Sequence, residues 1–363
     1  MLDGREPALV AVSAADDRES DALLAGLRVG EAIDDDVALV AATSGTTGVP
    51  KGALLTAAAL TASAAATHDR LGGPGSWLLA LPPHHIAGVQ VLVRSVLAGS
   101  VPVEMDVSAG FNIAELPSAI SALGPGRRYT SLVAAQLAKA LGDPAAVAAL
   151  AELDAVLIGG GPAPRPVLDE AAAAGITLVR TYGMSETAGG CVYDGVPLDG
   201  VRLRTAEGRI VIGGATLAKG YRNPAHPDPF AEPGWFATDD LGAVSEAGVL
   251  TVLGRADDAI STGGLTVLPQ PVEAALCSHP AVSECAVFGV TDDRLGQRVV
   301  AAIVVRDGSA APTLDALRAQ VTRTLDATAA PRELHIVDAL PRRGIGKVDR
   351  TALVRRFAGT SDQ

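Results

Sequence analysis

Apolar and polar positions fall into three successive patterns along the chain. The first opens with Val37-Ala38-Leu39-Val40-Ala41-Ala42, an unbroken apolar run ending in a Gly/Thr loop, which predicts a buried strand. After Lys51, Thr56 stands where it can cap an alanine-rich helix reaching about residue 70. Residues 77–81 predict a second strand, stopped by Pro82-Pro83, and residues 85–97 a helix. A strand at 101–105, a helix at 116–123, a strand at 129–133 and a helix at 134–141 follow. The alanines of 145–151 read as helix, with Pro144 suited to its first turn. A strand at 155–158 runs into three glycines, then come a helix at 166–174 and a strand at 177–181. This alternation predicts a parallel α/β layer.

The pattern changes near residue 195. Residues 201–204, 209–212, 240–244 and 249–252 are short strand-like runs separated by Gly/Pro turns, which predicts a small antiparallel sheet or barrel. It changes again after Gly254-Arg255: a helix at 271–278, strands at 284–290 and 299–305, a helix at 314–325 and a strand at 333–337. The expected fold class is α/β. A large N-terminal α/β domain (1–256) carries a β-rich subdomain at about 195–254, and a small mobile C-terminal α+β domain spans 257–363. The boundary falls at Ala256-Asp257-Asp258, and no internal repeat is present.

Composition narrows the function. Of 363 residues, 48% are hydrophobic and 19% charged, enough for a substantial core in each domain. A net charge of −12 argues against a nucleic-acid partner, which needs a basic surface. It leaves a nucleotide open, because backbone N–H groups and local cations can hold phosphate on an acidic protein. Cys191, Cys277 and Cys285 form neither a disulfide framework nor a zinc pattern; the last two sit among apolar residues and are expected as buried thiols. The N-terminus lacks a signal-peptide pattern, and Arg94 interrupts the best candidate for a membrane span, 89–103. A cytoplasmic protein with no membrane partner is expected.

Two lysine loops carry the candidate chemistry. Thr43-Ser44-Gly45-Thr46-Thr47-Gly48-Val49-Pro50-Lys51-Gly52 combines four hydroxyls, three glycines and a lysine, the equipment for cradling phosphate. It is not a Walker A loop, because its lysine follows a proline and precedes a glycine. Gly344-Ile345-Gly346-Lys347 lies near the other end of the chain. Such a pair suggests a nucleotide site that closes between two domains.

The first loop resembles the phosphate-loop signature of the adenylate-forming superfamily: acyl- and aryl-CoA synthetases, peptide-synthetase adenylation domains and luciferases. Further motifs follow in that superfamily's order. Gly159-Gly160-Gly161-Pro162 resembles its adenine-side loop, and Thr181-Tyr182-Gly183-Met184-Ser185-Glu186-Thr187 its aromatic-and-acid motif. Gly234-Trp235-Phe236-Ala237-Thr238-Asp239-Asp240 resembles its ribose-binding motif, Gly254-Arg255-Ala256-Asp257-Asp258 its hinge, and the last loop its C-terminal lysine loop.

The resemblance implies ATP, Mg²⁺ and CoA as cofactor and co-substrates. A carboxylate attacks the α-phosphate to give acyl-AMP, and a thiol then displaces AMP. Lys347 would bridge carboxylate and phosphate, with Lys51 and Glu186 as the other catalytic residues and Glu186 the Mg²⁺ ligand. Thr43, Ser44, Gly45, Thr46, Thr47, Gly48, Gly160, Gly161, Gly183, Ser185 and Thr187 would surround the nucleotide. Tyr182 would stack on adenine, and Asp240 would take the ribose hydroxyls with help from Arg255. Asp239, where the superfamily usually has glycine, is given no binding role. Asp257 would be the hinge, and Gly263 and Gly264 would let a pantetheine arm pass, with a plain tight turn as the alternative.

Leu81-Pro82-Pro83-His84-His85-Ile86-Ala87-Gly88 resembles the motif beside the acyl pocket, placing His85 at the substrate; Ala87 stands where relatives often have serine. Further along that helix, Arg94 is a lone charge among Val91, Leu92, Val93, Val96 and Leu97, and a buried arginine needs an anion. Either it forms a surface contact or structural ion pair, or it clamps a second substrate carboxylate. The clamp fits the o-succinylbenzoate–CoA ligases of menaquinone biosynthesis, whose short actinobacterial form the chain resembles over nearly its whole length. Thr130, Ser131, Gly189 and Gly190 would then line the pocket. Another aryl- or acyl-CoA ligase, or an enzyme loading a carrier protein, is the alternative. The superfamily usually has a much longer segment before the phosphate loop, and a homodimer is one way to cover the surface that its shortening exposes.

Overall fold

The computed structural model describes residues 1–13, 17–43, 50–343 and 347–358. The expected nucleotide contacts Ser44, Gly45, Thr46, Thr47 and Gly48, and residues 344–346, lie outside them.

The chain begins with β1 (Leu9–Val10), α1 (Asp17–Gly26), β2 (Val37–Ala41) and β3 (Ala53–Thr56), and the three strands form one sheet in sequence order. β2 is buried along its whole length, as its unbroken apolar run requires. The first lysine loop joins β2 to antiparallel β3. Thr56 caps α2 (Ala57–Arg70), its hydroxyl accepting from the Ala59 N–H at 3.0 Å. Arg222 bolts the segment after α1 to this region by donating to the carbonyls of Leu27, Arg28, Glu31 and Ala32.

The main layer contains β4 (Ser76–Leu79), α3 (Ile86–Leu97), β5 (Val103–Glu104), α4 (Leu116–Ser121), β6 (Arg128–Val133), α5 (Ala134–Leu141), α6 (Pro144–Ala151), β7 (Ala155–Gly159), α7 (Arg165–Ala173), β8 (Leu178–Met184), β9 (Gly189–Tyr193) and β10 (Val196–Pro197). They form a seven-stranded sheet in the order β10-β9-β8-β7-β6-β4-β5. The pairs from β5 to β8 are parallel and the last two antiparallel. β5 is shorter than the expected 101–105; Pro102 has no N–H to give a ladder. One face packs Leu78, Leu116, Leu132, Leu137 and Leu150 beneath α4–α7. The other packs Trp77, Leu79, Tyr129 and Tyr193 against Val91 of α3. The period of a strand therefore puts residues 129 and 131 of β6 on the α3 face, and 130 and 132 on the opposite one.

β11 (Val201–Ala206), β12 (Arg209–Gly214), β13 (Trp235–Val244) and β14 (Leu250–Arg255) form the antiparallel sheet expected here, and Ile210 and Ile212 share the core of the α3 face. The C-terminal part holds β15 (Ile260–Thr262), β16 (Leu265–Val267), α8 (Pro269–Cys277), β17 (Val282–Asp292), β18 (Gly296–Val305), α9 (Leu314–Val321), β19 (Glu333–Ile336), β20 (Arg342–Arg343), β21 (Lys347–Val348) and α10 (Arg350–Phe357). Its main sheet runs β16-β15-β18-β17, with β19 parallel to β18. Leu276 of α8 and Leu317 of α9 belong to one core cluster, and Leu353 and Phe357 of α10 to another. α9 stops short of the expected residue 325, where the Thr322 hydroxyl turns back onto the carbonyls of Arg318 and Ala319. Cys277 and Cys285 are buried free thiols with sulfurs 3.2 Å apart. Among the described residues, no helix is long and apolar enough to cross a membrane.

Candidate active site

The topology fixes where a ligand can sit. The chain leaves β4 through α3 to reach β5 on one side, and leaves β6 through α5 and α6 to reach β7 on the other. A crevice opens at such a reversal, at the carboxyl ends of the strands. The His84-His85 loop leaves the carboxyl end of β4, the Gly160-Gly161 loop that of β7, and the Tyr182 motif ends β8. Motifs scattered over a hundred residues thus share one rim. Gly160, at φ +81°, and Gly161 are exposed, and a Cβ at Gly161 would meet nothing within 4 Å. Their backbone is open to a ligand.

On the phosphate side, Lys51 follows the loop, its ammonium 5.3 Å from the ring centroid of Tyr221. The Tyr221 hydroxyl donates to Glu186 Oε1 at 2.7 Å, and Glu186 is buried. Desolvation, followed by the Glu186 charge, raises the Tyr221 pKa, so the phenol keeps its proton and acts as donor. Main-chain bonds from Arg222 N–H to Gly52 O at 2.8 Å and from Asn223 N–H to Lys51 O at 2.9 Å hold this strip beside the loop. Glu186 fits a magnesium site in chemistry: it is one hard carboxylate, and no cluster of three metal-ligating side chains exists among the described residues. The Thr187 hydroxyl is not at the surface of the loop. It is fully buried, donates to the Gly189 carbonyl at 2.7 Å and accepts from Met184 N–H at 2.9 Å, so it frames the motif instead of facing a phosphate. Ser185 is half-buried.

On the nucleoside side, Tyr182 donates its hydroxyl to Asp240 Oδ2 at 2.7 Å. Burial raises the Asp240 pKa, against the hydrogen bond from Tyr182 and the charges of Arg255 and Lys347. Arg255 lies 3.8 Å from Asp240 Oδ1 but grips Asp257 with two bonds, at 2.8 and 2.7 Å. Burial opposes ionisation of Asp257, yet these Arg255 contacts hold its pKa below the usual range. Asp239 is taken up by Arg209 at 3.2 Å and Arg255 at 3.5 Å. The expected linker lies between β14 and β15, which belong to different sheets.

Lys347 opens β21, opposite Arg343 across a two-stranded hairpin. Its charge lowers the pKa of both His85 and Asp240, so the C-terminal lysine stands within electrostatic reach of the two ends of the rim. His85 is pushed down to about 4, first by burial, then by His84 and Lys347, and is neutral near pH 7. The two imidazoles pack against each other with centroids 4.3 Å apart.

On the acid side, Arg94 is 3% exposed and forms no ion pair with any carboxylate among the described residues. The surface reading therefore falls away, and no structural ion pair stands in its place among the described residues. Its guanidinium lies 4.8 Å from the Trp77 ring centroid, and Nη2 donates to the Tyr193 hydroxyl at 3.3 Å. Nε has no partner among the described residues, nor have His68 Nε2, Trp77 Nε1 and Gln90 Oε1. Ser131 is on this face. Thr130 is not: it lies on the opposite side of β6, fully buried, with its hydroxyl on the Leu78 carbonyl at 3.1 Å. Pocket lining was expected of both, and strand alternation separates them. Gly189, at φ +95°, lets α3 approach; a Cβ there would stand 3.0 Å from Gln90 Cγ. Gly190 makes room for the Tyr193 ring in the same way, at 3.0 Å, and so serves packing. Gly263 and Gly264, at φ +59° and +79°, form the tight turn between β15 and β16.

Two contributors escaped the sequence reading, Tyr221 and Tyr193. The dipeptide Gly220-Tyr221 before a proline-rich turn was a usable signal for the first. The second reads as one more strand residue.

Residues 5–222 match the model "AMP-binding enzyme" and residues 271–347 the model "AMP-binding enzyme C-terminal domain". A "Probable 2-succinylbenzoate--CoA ligase" of Mycobacterium tuberculosis is 79% identical over 100% of this chain and 94% of its own length. The o-succinylbenzoate CoA synthetase of Bacillus subtilis, solved with its acyl-adenylate intermediate, superimposes with a TM-score of 0.75 at 28% identity, covering 92% of this chain and 73% of that one. A structure of the same enzyme with ATP and magnesium ion gives a TM-score of 0.73 at 29% identity, covering 91% and 73%.

Proposed function

The chain belongs to the AMP-binding enzyme family, and we propose that it joins 2-succinylbenzoate to CoA through an acyl-adenylate, a step of menaquinone biosynthesis. The observation that carries the choice of acid is Arg94, a buried guanidinium with no acid to neutralise it among the described residues. An unpaired buried charge is costly, so a ligand anion is the natural partner. Arg94 lies nine residues past His85 on α3, about 13 Å along the helix axis. It therefore stands at the far pole from the lysine-lined rim, and the acid must carry one carboxylate at each end.

In the first step a succinyl carboxylate oxygen attacks the α-phosphorus of ATP, and pyrophosphate leaves with the bonding electrons. Two anions must approach each other, so cations have to be in place beforehand. Lys347 neutralises the carboxylate and the α-phosphate, and Lys51 acts on the other phosphates. Neutral His85 packs beside the carboxylate without adding charge. Glu186 would hold magnesium, which supplies charge neutralisation on the phosphates when bound. Asp240 receives the ribose, and Arg255 steadies it. In the second step the CoA sulfur attacks the acyl carbon, the bond to AMP breaks, and the thiol proton goes to solvent. All three reactants are small molecules, and no protein, nucleic-acid or membrane partner is needed.

The test is Arg94→Leu, assayed with 2-succinylbenzoate and with 3-benzoylpropionate, which lacks the ring carboxylate. The preference for the diacid, as a ratio of kcat/KM values, should fall by roughly tenfold to a hundredfold, the worth of a charge-assisted buried hydrogen bond. An unchanged ratio would rule out Arg94 as the clamp.

A further inference from the structure

We propose that Tyr193, backed by Thr67, is a positioning residue for the acid: its hydroxyl sets the Arg94 guanidinium so that the Nε edge is left for the ring carboxylate. This rests on the reading of Arg94 given above. Counting protons fixes the direction of the bonds. The Thr67 hydroxyl donates its only proton to the Ser63 carbonyl at 2.9 Å. Thr67 Oγ1 and the Tyr193 hydroxyl lie 2.9 Å apart, so the proton between them is that of Tyr193. The Tyr193 oxygen is then free to accept, and it accepts from Arg94 Nη2 at 3.3 Å. The result is a one-way chain, Arg94 to Tyr193 to Thr67 to the Ser63 carbonyl.

Each donor in such a chain is polarised by the charge at its head, which strengthens the next bond. Thr67 is fully buried and Tyr193 1% exposed, so no bulk solvent competes. The Trp77 ring covers one face of the guanidinium and Tyr193 holds one amino group. What remains is an edge whose Nε–H has no partner among the described residues, and His68 Nε2 has none there either. Burial, then the Arg94 charge, lowers the His68 pKa, so His68 adds no second cation. A planar fork recognises carboxylate by orientation as much as by charge, and orientation is what the chain of hydroxyls supplies.

The test is Tyr193→Phe, which keeps the ring and removes the hydroxyl, in the wild-type and Arg94→Leu backgrounds. In the wild-type background the kcat/KM ratio of 2-succinylbenzoate to 3-benzoylpropionate should fall about fivefold to tenfold, through KM for the diacid, as expected for one hydrogen bond. In the Arg94→Leu background the ratio should not change further. Thr67→Val should give the same split on a smaller scale, which covers the case of Tyr193→Phe failing to fold. Equal losses on the two acids, or a loss that adds fully to that of Arg94→Leu, would reduce Tyr193 to packing. If Arg94→Leu erases the diacid preference and Tyr193→Phe leaves it whole, only the positioning role fails. If Arg94→Leu also leaves it whole, the clamp itself fails.

Discussion

Tyr221 lies between charges of opposite sign, its ring under the Lys51 ammonium and its hydroxyl on the Glu186 carboxylate. It therefore fixes the distance between the phosphate-loop lysine and the candidate magnesium ligand. Tyr221→Phe keeps the ring and frees Glu186 Oε1. The expected outcome is a rise of about fivefold in KM for Mg-ATP in pyrophosphate exchange, the scale of one hydrogen bond to a charged group, with KM for the acid nearly constant. A rise confined to the acid would contradict this placement. At this scale the sequence singles out a residue where chemistry demands a rare one in a rare context, as for Lys51, Glu186, Asp240 and Arg94. It was unreadable where an ordinary residue becomes special through partners far along the chain. Tyr193 meets Thr67 and Arg94 from positions 126 and 99 residues away, which no local pattern encodes.

Between α3 and β9 the spacing is set by one missing side chain. Gly189 has φ +95° and faces Gln90, and the preceding Ala188, at φ +51°, already adopts a left-handed conformation. Ser63 props this turn through a 2.9 Å bond to the Ala188 carbonyl. Gly189→Ala would have to strain the backbone and push α3 away at once. A loss of about 1–3 kcal/mol in denaturant stability is expected, with weaker binding of the acid because Arg94 rides on the same helix. A variant as stable as the parent would show that the approach is loose. Elements with their own start signal were legible, including α2 under Thr56, α5, and α6 behind Asp143 and Pro144. α1 and α10 were not, although Asp349 caps α10 by accepting from the Ala352 N–H at 3.0 Å. α1 buries only Ser20, and α10 only Leu353 and Phe357 within an arginine-rich run, so neither shows a wide apolar stripe. β13 starts at Trp235, inside what reads as a motif loop, because pairing with β12 extends it beyond its apolar core. The hairpins β15–β16 and β20–β21 are too short for periodicity to register.

For the whole molecule, the decisive relation is between Lys347 and a rim built from other domains' worth of chain. Its charge is felt by His85 and by Asp240, so the arrangement suits adenylation, where carboxylate and α-phosphate need a shared cation. Thioester formation needs no such cation, since the bond to phosphate is then breaking. The linker is short, from the end of β14 at Arg255 to the start of β15 at Ile260, and Arg255 holds both its Asp257 and the neighbourhood of Asp240. A swing of the C-terminal part about this point would withdraw Lys347 and let CoA enter. Lys347→Ala should therefore depress pyrophosphate exchange by a hundredfold or more, the scale of losing a preorganised charge-stabilising donor. CoA-dependent consumption of supplied acyl-adenylate should lose much less. Equal losses in the two half-reactions would mean that Lys347 stays in the site throughout, and that Arg255 and Asp257 form a fixed joint instead of a hinge.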